Sequence, residues 1–177
     1  MIKKTFFSIT VTALMFIGCS KSSDPASVVP DTQWYTSNPS AGTFTISTAN
    51  QLAGLAKLVN EGNYFTAKVI NLAANINLSS YGASYNGGKG WIPIGNEDSF
   101  QLHGTFNGNG HKISGLYIND AELWGAGLFG RVYGTVKNLR VEIAAGGITG
   151  FSQIGGITGY LGDYGIIENC CVTGGIL

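Results

Sequence analysis

Charged side chains are scarce in this chain of 177 residues: ten Lys and Arg balance ten Asp and Glu, and together they fill only 11% of positions, where an ordinary soluble domain carries about 25%. A formal net charge of zero removes the basic face that displaces counterions from phosphates, so nucleic acid is excluded as a partner. Low charge combined with 44% hydrophobic residues excludes intrinsic disorder, which needs the opposite balance. Only 4 Pro are present and the 27 Gly follow no three-residue period, which excludes a collagen-like chain. Cysteine is limited to Cys19 and the neighbours Cys170 and Cys171. Adjacent residues of an extended strand point to opposite faces, so no mutual disulfide is expected, and no CxxC or His–Cys spacing offers a structural metal site. His103 and His111 flank a turn without a third donor and read as turn histidines, so neither a metal nor a cofactor is expected.

The first twenty residues, MIKKTFFSITVTALMFIGCS, place Lys3 and Lys4 before an apolar run from Thr5 to Ile17. That run is too short for a helix crossing a bilayer, which needs about 20 apolar residues, and has the form of a secretory signal. Its end, Phe16-Ile17-Gly18-Cys19, resembles a bacterial lipobox, although Phe16 stands where Leu is usual. The resemblance implies cleavage after residue 18 and lipidation of Cys19; the alternative is ordinary cleavage with Cys19 incidental. Residues 1–18 are therefore expected to be a lipoprotein signal peptide and 19–43 a polar tether, since SKSSDPASVVP follows at once.

What the chain has in excess is glycine. Average usage predicts roughly 12 in this length, and 23 of the observed 27 fall after residue 81. Before them, the stretch from Ser47 carries Leu52, Leu55, Ala56, Leu58 and Val59 at helical spacing with a stop at Gly62, which predicts one helix near 48–61. After it a short unit recurs: Asn75-Ile76-Asn77-Leu78, Gly115-Leu116-Tyr117-Ile118, Asn138-Leu139-Arg140-Val141 and Asn169-Cys170-Cys171-Val172. Such spacing predicts a solenoid with one coil per repeat. The apolar positions of the unit cannot share one flat strand face, so each coil must turn a corner at Asn75, Gly115, Asn138 and Asn169, residue types that tolerate the left-handed conformation. Ile113, Leu116, Ile118, Val136, Leu139, Val141, Ile167, Cys170 and Val172 then point inward. The three corner asparagines are expected to form a partial amide ladder. A second repeat matches Gly127-Leu128-Phe129-Gly130-Arg131-Val132 with Gly156-Ile157-Thr158-Gly159-Tyr160-Leu161.

The runs FQLHGTFNGNGHKISGLYI (100–118), GLFGRVYGTVKNLRV (127–141) and GGITGYLGDYGIIENCCVTG (155–174) resemble the GLUG repeat, found in surface proteins of gut Bacteroidetes and in some secreted IgA-cleaving peptidases. The upstream pattern FTISTANQLAGLAKLVNEG…WIPIG is similar to the leader of such coils. The resemblance covers about residues 44–177 and implies an all-β fold, a right-handed parallel β-helix, here with one short N-terminal capping helix. Asn107 stands where relatives often carry Asp. The family offers no catalytic residues to carry over.

Chemistry-bearing patterns are few. The carboxylate pairs Glu97/Asp98 and Asp120/Glu122 lie in insertion-like loops, and the expected outward column of Asn77, Tyr117, Arg140 and Cys171 holds no acid, so no catalytic cluster is expected. Aromatic residues in Gly- and Ser-rich loops stand out instead, above all Trp124, Tyr85, Tyr164 and Tyr133. They either contact a sugar or protein partner or fold inward to cap the coils. The leading expectation is a lipid-anchored outer-membrane module, exposed at the cell surface and held to the membrane through Cys19, that binds glycan or host protein through its loops. The alternatives are the N-terminal portion of a larger surface protein, or a polysaccharide lyase or hydrolase. A solenoid ending at Leu177 without a cap would leave an open C-terminal edge able to pair with another chain.

Overall fold

A computed structural model describes residues 28–175; the expected signal segment, Cys19 and the first part of the tether lie outside these residues. Two α-helices and thirteen strands are present among them, besides two short 3-10 turns at Ser79–Tyr81 and Asn86–Gly88, in the order α1 (Gln33–Thr36), β1 (Thr43–Ile46), α2 (Ala49–Asn60), β2 (Val69–Leu72), β3 (Ile76–Asn77), β4 (Thr105–Asn107), β5 (Lys112–Asn119), β6 (Trp124–Ala126), β7 (Phe129–Val132), β8 (Thr135–Lys137), β9 (Arg140–Thr149), β10 (Ser152–Ile154), β11 (Thr158–Leu161), β12 (Ile166–Glu168) and β13 (Cys171–Thr173). The fold is β-rich, and every pairing between named strands is parallel. One sheet runs β1-β2-β4-β8-β12 and a second β13-β9-β5-β3, with the pairs β6-β10 and β7-β11 as two smaller sheets.

The register shows why the sequence folds this way. Phe44, Ile70, Phe106, Val136 and Ile167 are successive Cα partners across the first sheet, and the first four are 5% exposed or less. Ile76, Ile113, Val141 and Val172 form the corresponding column in the second. Each pass of the chain thus presents an apolar side chain to the same interior file, and burial of that file supplies the main stabilising force. Where two passes come closest there is no room for a side chain: a Cβ on Gly134 would overlap the Gly104 carbonyl. Helix α2 buries Leu52, Leu55, Leu58 and Val59 in the same core. It starts at Thr48, whose side chain accepts from the Gln51 N–H at 3.2 Å, and Gly62 follows its end at φ +94.

Several sequence expectations change. The stretch expected as tether is partly folded: Trp34 and Tyr35 on α1 pack with Phe44 and Phe65, and the Asp31 N–H donates to the Asn50 carbonyl. The last two of the four recurring units, at Asn138 and Asn169, pair as aligned, Arg140 opposite Cys171 and Val141 opposite Val172, whereas the units at Asn75 and Gly115 are out of register. Ile113 pairs with Ile76 on one side and with Val141 on the other, so Gly115 is not the counterpart of Asn138; it sits inside β5, at φ +76, where the ladder shifts register. Asn138 and Asn169 do adopt the left-handed conformation at φ +53 and +50, but Asn75 is not among the positive-φ residues. Its Oδ1 accepts the Lys112 N–H at 2.8 Å instead. The amide ladder keeps Asn138 and Asn169 of the three expected members, and Asn71 and Asn107 take the place of Asn75. The Asn107 amide donates to Asn71 at 3.2 Å, Asn138 to Asn107 at 3.0 Å, and Asn169 to Asn138 at 2.8 Å. The outward neighbours also differ, since Ser114 pairs with Glu142, which places an acid in that column and an ion pair with Lys112 at 2.6 Å.

Of the nine residues expected inside, Ile113, Leu116, Ile118, Val136, Leu139 and Val141 are fully buried, Ile167 and Cys170 partly so, and Val172 is 39% exposed. The gradient follows position, because β12 and β13 are the outermost strands of their sheets. The shorter repeat pairs as aligned: Phe129 opposite Thr158, Arg131 opposite Tyr160 and Val132 opposite Leu161.

Asn138 combines a left-handed backbone with two ladder bonds, so Asn138→Ala should lower unfolding free energy by about 1–3 kcal/mol in urea melts, while Asn138→Gly, which keeps the backbone, should lose less. Equal losses for the two variants would remove the backbone contribution.

Candidate functional site

Asn60, the last residue of α2, reaches across to the segment that opens the site. Its Oδ1 accepts from the N–H groups of Gly95 and Asn96 at 2.8 and 3.1 Å, and its amide donates to the Pro93 carbonyl at 3.0 Å. This fixes the start of the loop carrying Glu97, Asp98 and Ser99. On the other side, β6 and β7 bring Trp124 and Arg131, and their partners β10 and β11 bring Gln153 and Tyr160. Between them lies a cleft of about 860 Å³, bordered as well by Lys89, Asn96, Asp120, Glu122, Leu123 and Tyr133. That volume falls within the range of ligand sites.

Arg131 is the buried charge of the cleft. Its side chain is only 8% exposed, and its Nη2 meets the Asp98 carboxylate at 2.5 Å. Space for the guanidinium depends on Gly125, whose φ is +76 and whose Cβ, were there one, would stand 3.3 Å from Nη1. Among the described residues Nη1 is buried without a hydrogen-bond partner, and so is Asn96 Oδ1; buried polar atoms left unsatisfied are costly and uncommon. Asp98, by contrast, is 91% exposed. Lys89 and Asp120 form a second ion pair at 3.0 Å. Glu97 and Glu122 have no ion-pair partner among the described residues. Tyr133 stands between His103, stacked at 5.6 Å, and Tyr160 at 6.1 Å. Desolvation, then the hydrogen bond with Tyr160, pushes the ionisation of the Tyr133 phenol up. Trp124 is 52% exposed and leans against the equally open Phe151 at 4.8 Å.

The four aromatic candidates separate. Trp124 and Tyr133 border the cleft together. Tyr85 lines a different, largely apolar cavity of about 330 Å³ beside α2, with Tyr81 and Trp91. Tyr164 is 84% exposed and borders neither. Trp91, beside Tyr85, folds inward: it is 2% exposed and donates from Nε1 to the Leu128 carbonyl at 3.0 Å. The two acidic pairs, assigned to separate loops on sequence, meet at one cleft. Sequence reasoning missed Arg131 and Asn96 as site residues. The signal was the pairing of Arg131 with Tyr160 inside the recognised shorter repeat, a lone cation on a strand otherwise filled with Phe129 and Val132.

Two relatives share part of this sequence. Over 106 residues, 58% of the chain, it is 39% identical to halomucin of Haloquadratum walsbyi, of which it spans 1%. Over 134 residues, 73% of the chain, it is 34% identical to a protein of Evansella cellulosilytica named as a Gly-rich membrane protein, of which it spans 14%. The chain therefore corresponds to a small fraction of either relative. No protein-family model matches it. No solved structure matches it.

Tyr81 yields a test of the packing beside the site. Its ring is 1% exposed and its hydroxyl donates to Asn50 Oδ1 at 2.8 Å. Desolvation, assisted by Tyr85, pushes its pKa up to about 12 from 10.0. Folding thus favours the neutral phenol, so this contribution is complete below pH about 10 and is lost as pH rises through about 12. Urea stability should decline over that window, and decline less in Tyr81→Phe; identical declines would contradict it.

Proposed function

We propose that this chain is a glycan-binding module of the cell envelope, built as a right-handed parallel β-helix of the GLUG kind. The helical reading is supported by parallel pairing at intervals of 26, 36, 30 and 31 residues along the five-stranded sheet, by four sheets that share one core, and by the right-handedness of parallel crossovers. An envelope location, as an outer-membrane lipoprotein held through Cys19 and facing outward, is supported by the signal pattern and lipobox and by relatives named as a halomucin and a membrane protein. The far greater length of those relatives favours a role as one segment of a larger surface protein.

The observation that carries the glycan reading is the convergence of Trp124, Tyr133 and Tyr160 on a polar concave cleft around a buried, half-partnered Arg131. Aromatic faces take the apolar C–H faces of sugar rings, while carboxylates, amides and a guanidinium exchange hydrogen bonds with hydroxyls. Such a mixture suits a ring-shaped polyol better than a flat protein surface, whose contact centre is depleted in charge. A hydrolase reading draws on one observation, the unpaired Glu97 and Glu122 on the same cleft, and release of reducing ends from bound polysaccharide would favour it.

Glycan-array and affinity-electrophoresis measurements on wild type, Trp124→Ala, Tyr160→Ala and Tyr164→Ala test the proposal. The first two substitutions should weaken binding by about 5- to 30-fold, corresponding to about 1–2 kcal/mol, and Tyr164→Ala should leave it unchanged. Absence of any bound glycan, or equal binding by all four proteins, would overturn it.

A further inference from the structure

Resting on the glycan reading, we propose that Arg131 is a carboxylate receptor and that the cleft takes a sugar acid, a hexuronate residue whose carboxylate replaces that of Asp98. A guanidinium is a planar fork suited to two parallel hydrogen bonds with one carboxylate. Here only half of the fork is used. Nη2 holds Asp98 at 2.5 Å, while Nη1 is buried with no acceptor among the described residues. Asp98 is a weakly committed occupant, since its side chain is already 91% exposed and little further hydration is gained or lost when it swings away. An incoming carboxylate preserves the charge balance that Asp98 supplies and adds the second charge-assisted bond that Asp98 leaves unmade.

The second orphan narrows the ligand class. Asn96 borders the same cleft, and its buried Oδ1 lacks a donor among the described residues, which a carboxylate cannot provide and a neighbouring hydroxyl can. A sugar acid carries both groups on one ring, and that ring has apolar C–H positions to set against Tyr133 and Tyr160. Charge sets the density of acid in the ligand. With Asp98 turned out, the cleft still holds Glu97, Asp120 and Glu122 against Lys89 and Arg131. A polymer of contiguous uronates would be repelled, whereas an isolated or terminal uronate in a neutral chain is accommodated.

Calorimetric titration of the full chain with glucuronate and galacturonate, each compared with its methyl ester, tests this. The esters keep the ring and hydroxyls but lose the charge. The free acids should bind at least about tenfold more tightly than the esters, and Asp98→Asn should tighten acid binding severalfold by releasing the fork. Arg131→Lys, with folding checked by its melting curve, should bring the acids down to the level of the esters. Esters binding as tightly as acids, or weaker acid binding in Asp98→Asn, would overturn the receptor while leaving a glycan site in place. If acids, esters and neutral sugars all fail to bind, the glycan reading falls and this inference with it.

Discussion

The whole arrangement depends on keeping successive passes of the chain one strand spacing apart, about 4.8 Å, and in register. Three kinds of residue hold that spacing. Apolar side chains such as Ile70, Phe106 and Val136 lie directly above one another and exclude water from the interior. Backbone hydrogen bonds run between passes. At the edge, the amides of Asn71, Asn107, Asn138 and Asn169 bond from one pass to the next, which penalises a slip of even one residue. Glycine follows from this constraint, because a Cβ at Gly134 would push two passes apart. Burial falls away toward the C-terminal strands, where Leu161, Ile166 and Val172 are exposed, while Phe44, Ile46 and Ile76 at the opposite ends of the two larger sheets remain buried.

The site inherits its geometry from the same register. Arg131 lies opposite Tyr160, and Trp124 opposite Ser152, so two passes that are distant in sequence present their side chains to one cleft. A rigid scaffold carries the polar and aromatic groups, and the loop at 95–99 is tied down through Asn60. Placing a guanidinium in so enclosed a position is unfavourable unless its hydrogen bonds are satisfied, and Arg131 retains one unsatisfied nitrogen. Sites that depart from full satisfaction in an otherwise consistent fold are where function is to be sought.

Much of the architecture was legible because it follows from periodicity. The helix expected near 48–61 spans Ala49–Asn60, and the match of Phe129 with Thr158 gave the right pairing. The longer unit misled for a physical reason: Gly115 and Asn138 both adopt left-handed backbone, yet one is a kink within β5 and the other a corner between β8 and β9, and residue type alone does not distinguish them. Asn71 and Asn107 stayed invisible as ladder members because they precede the corners at which Asn was sought. The folding of Trp34 and Tyr35 onto Phe65 was hidden by a polar local sequence, since the contacts are made with residues far along the chain. The cleft was half legible. Trp124 and Tyr133 stood out as aromatic residues in loops, while Tyr85 and Tyr164, chosen by the same criterion, lie elsewhere because that criterion carries no direction. The acidic pairs at 97–98 and 120–122 converge only through the stacking of passes, which no local pattern encodes.

The most direct test of the account is to map amide chemical-shift changes as the strongest glycan from an array is titrated into isotopically labelled protein. The account predicts changes concentrated at residues 96–99, 124–126, 131–133, 153 and 160, with Tyr85 and Tyr164 unaffected. Changes centred on Tyr164, on the cavity beside α2, or on no contiguous surface would contradict it.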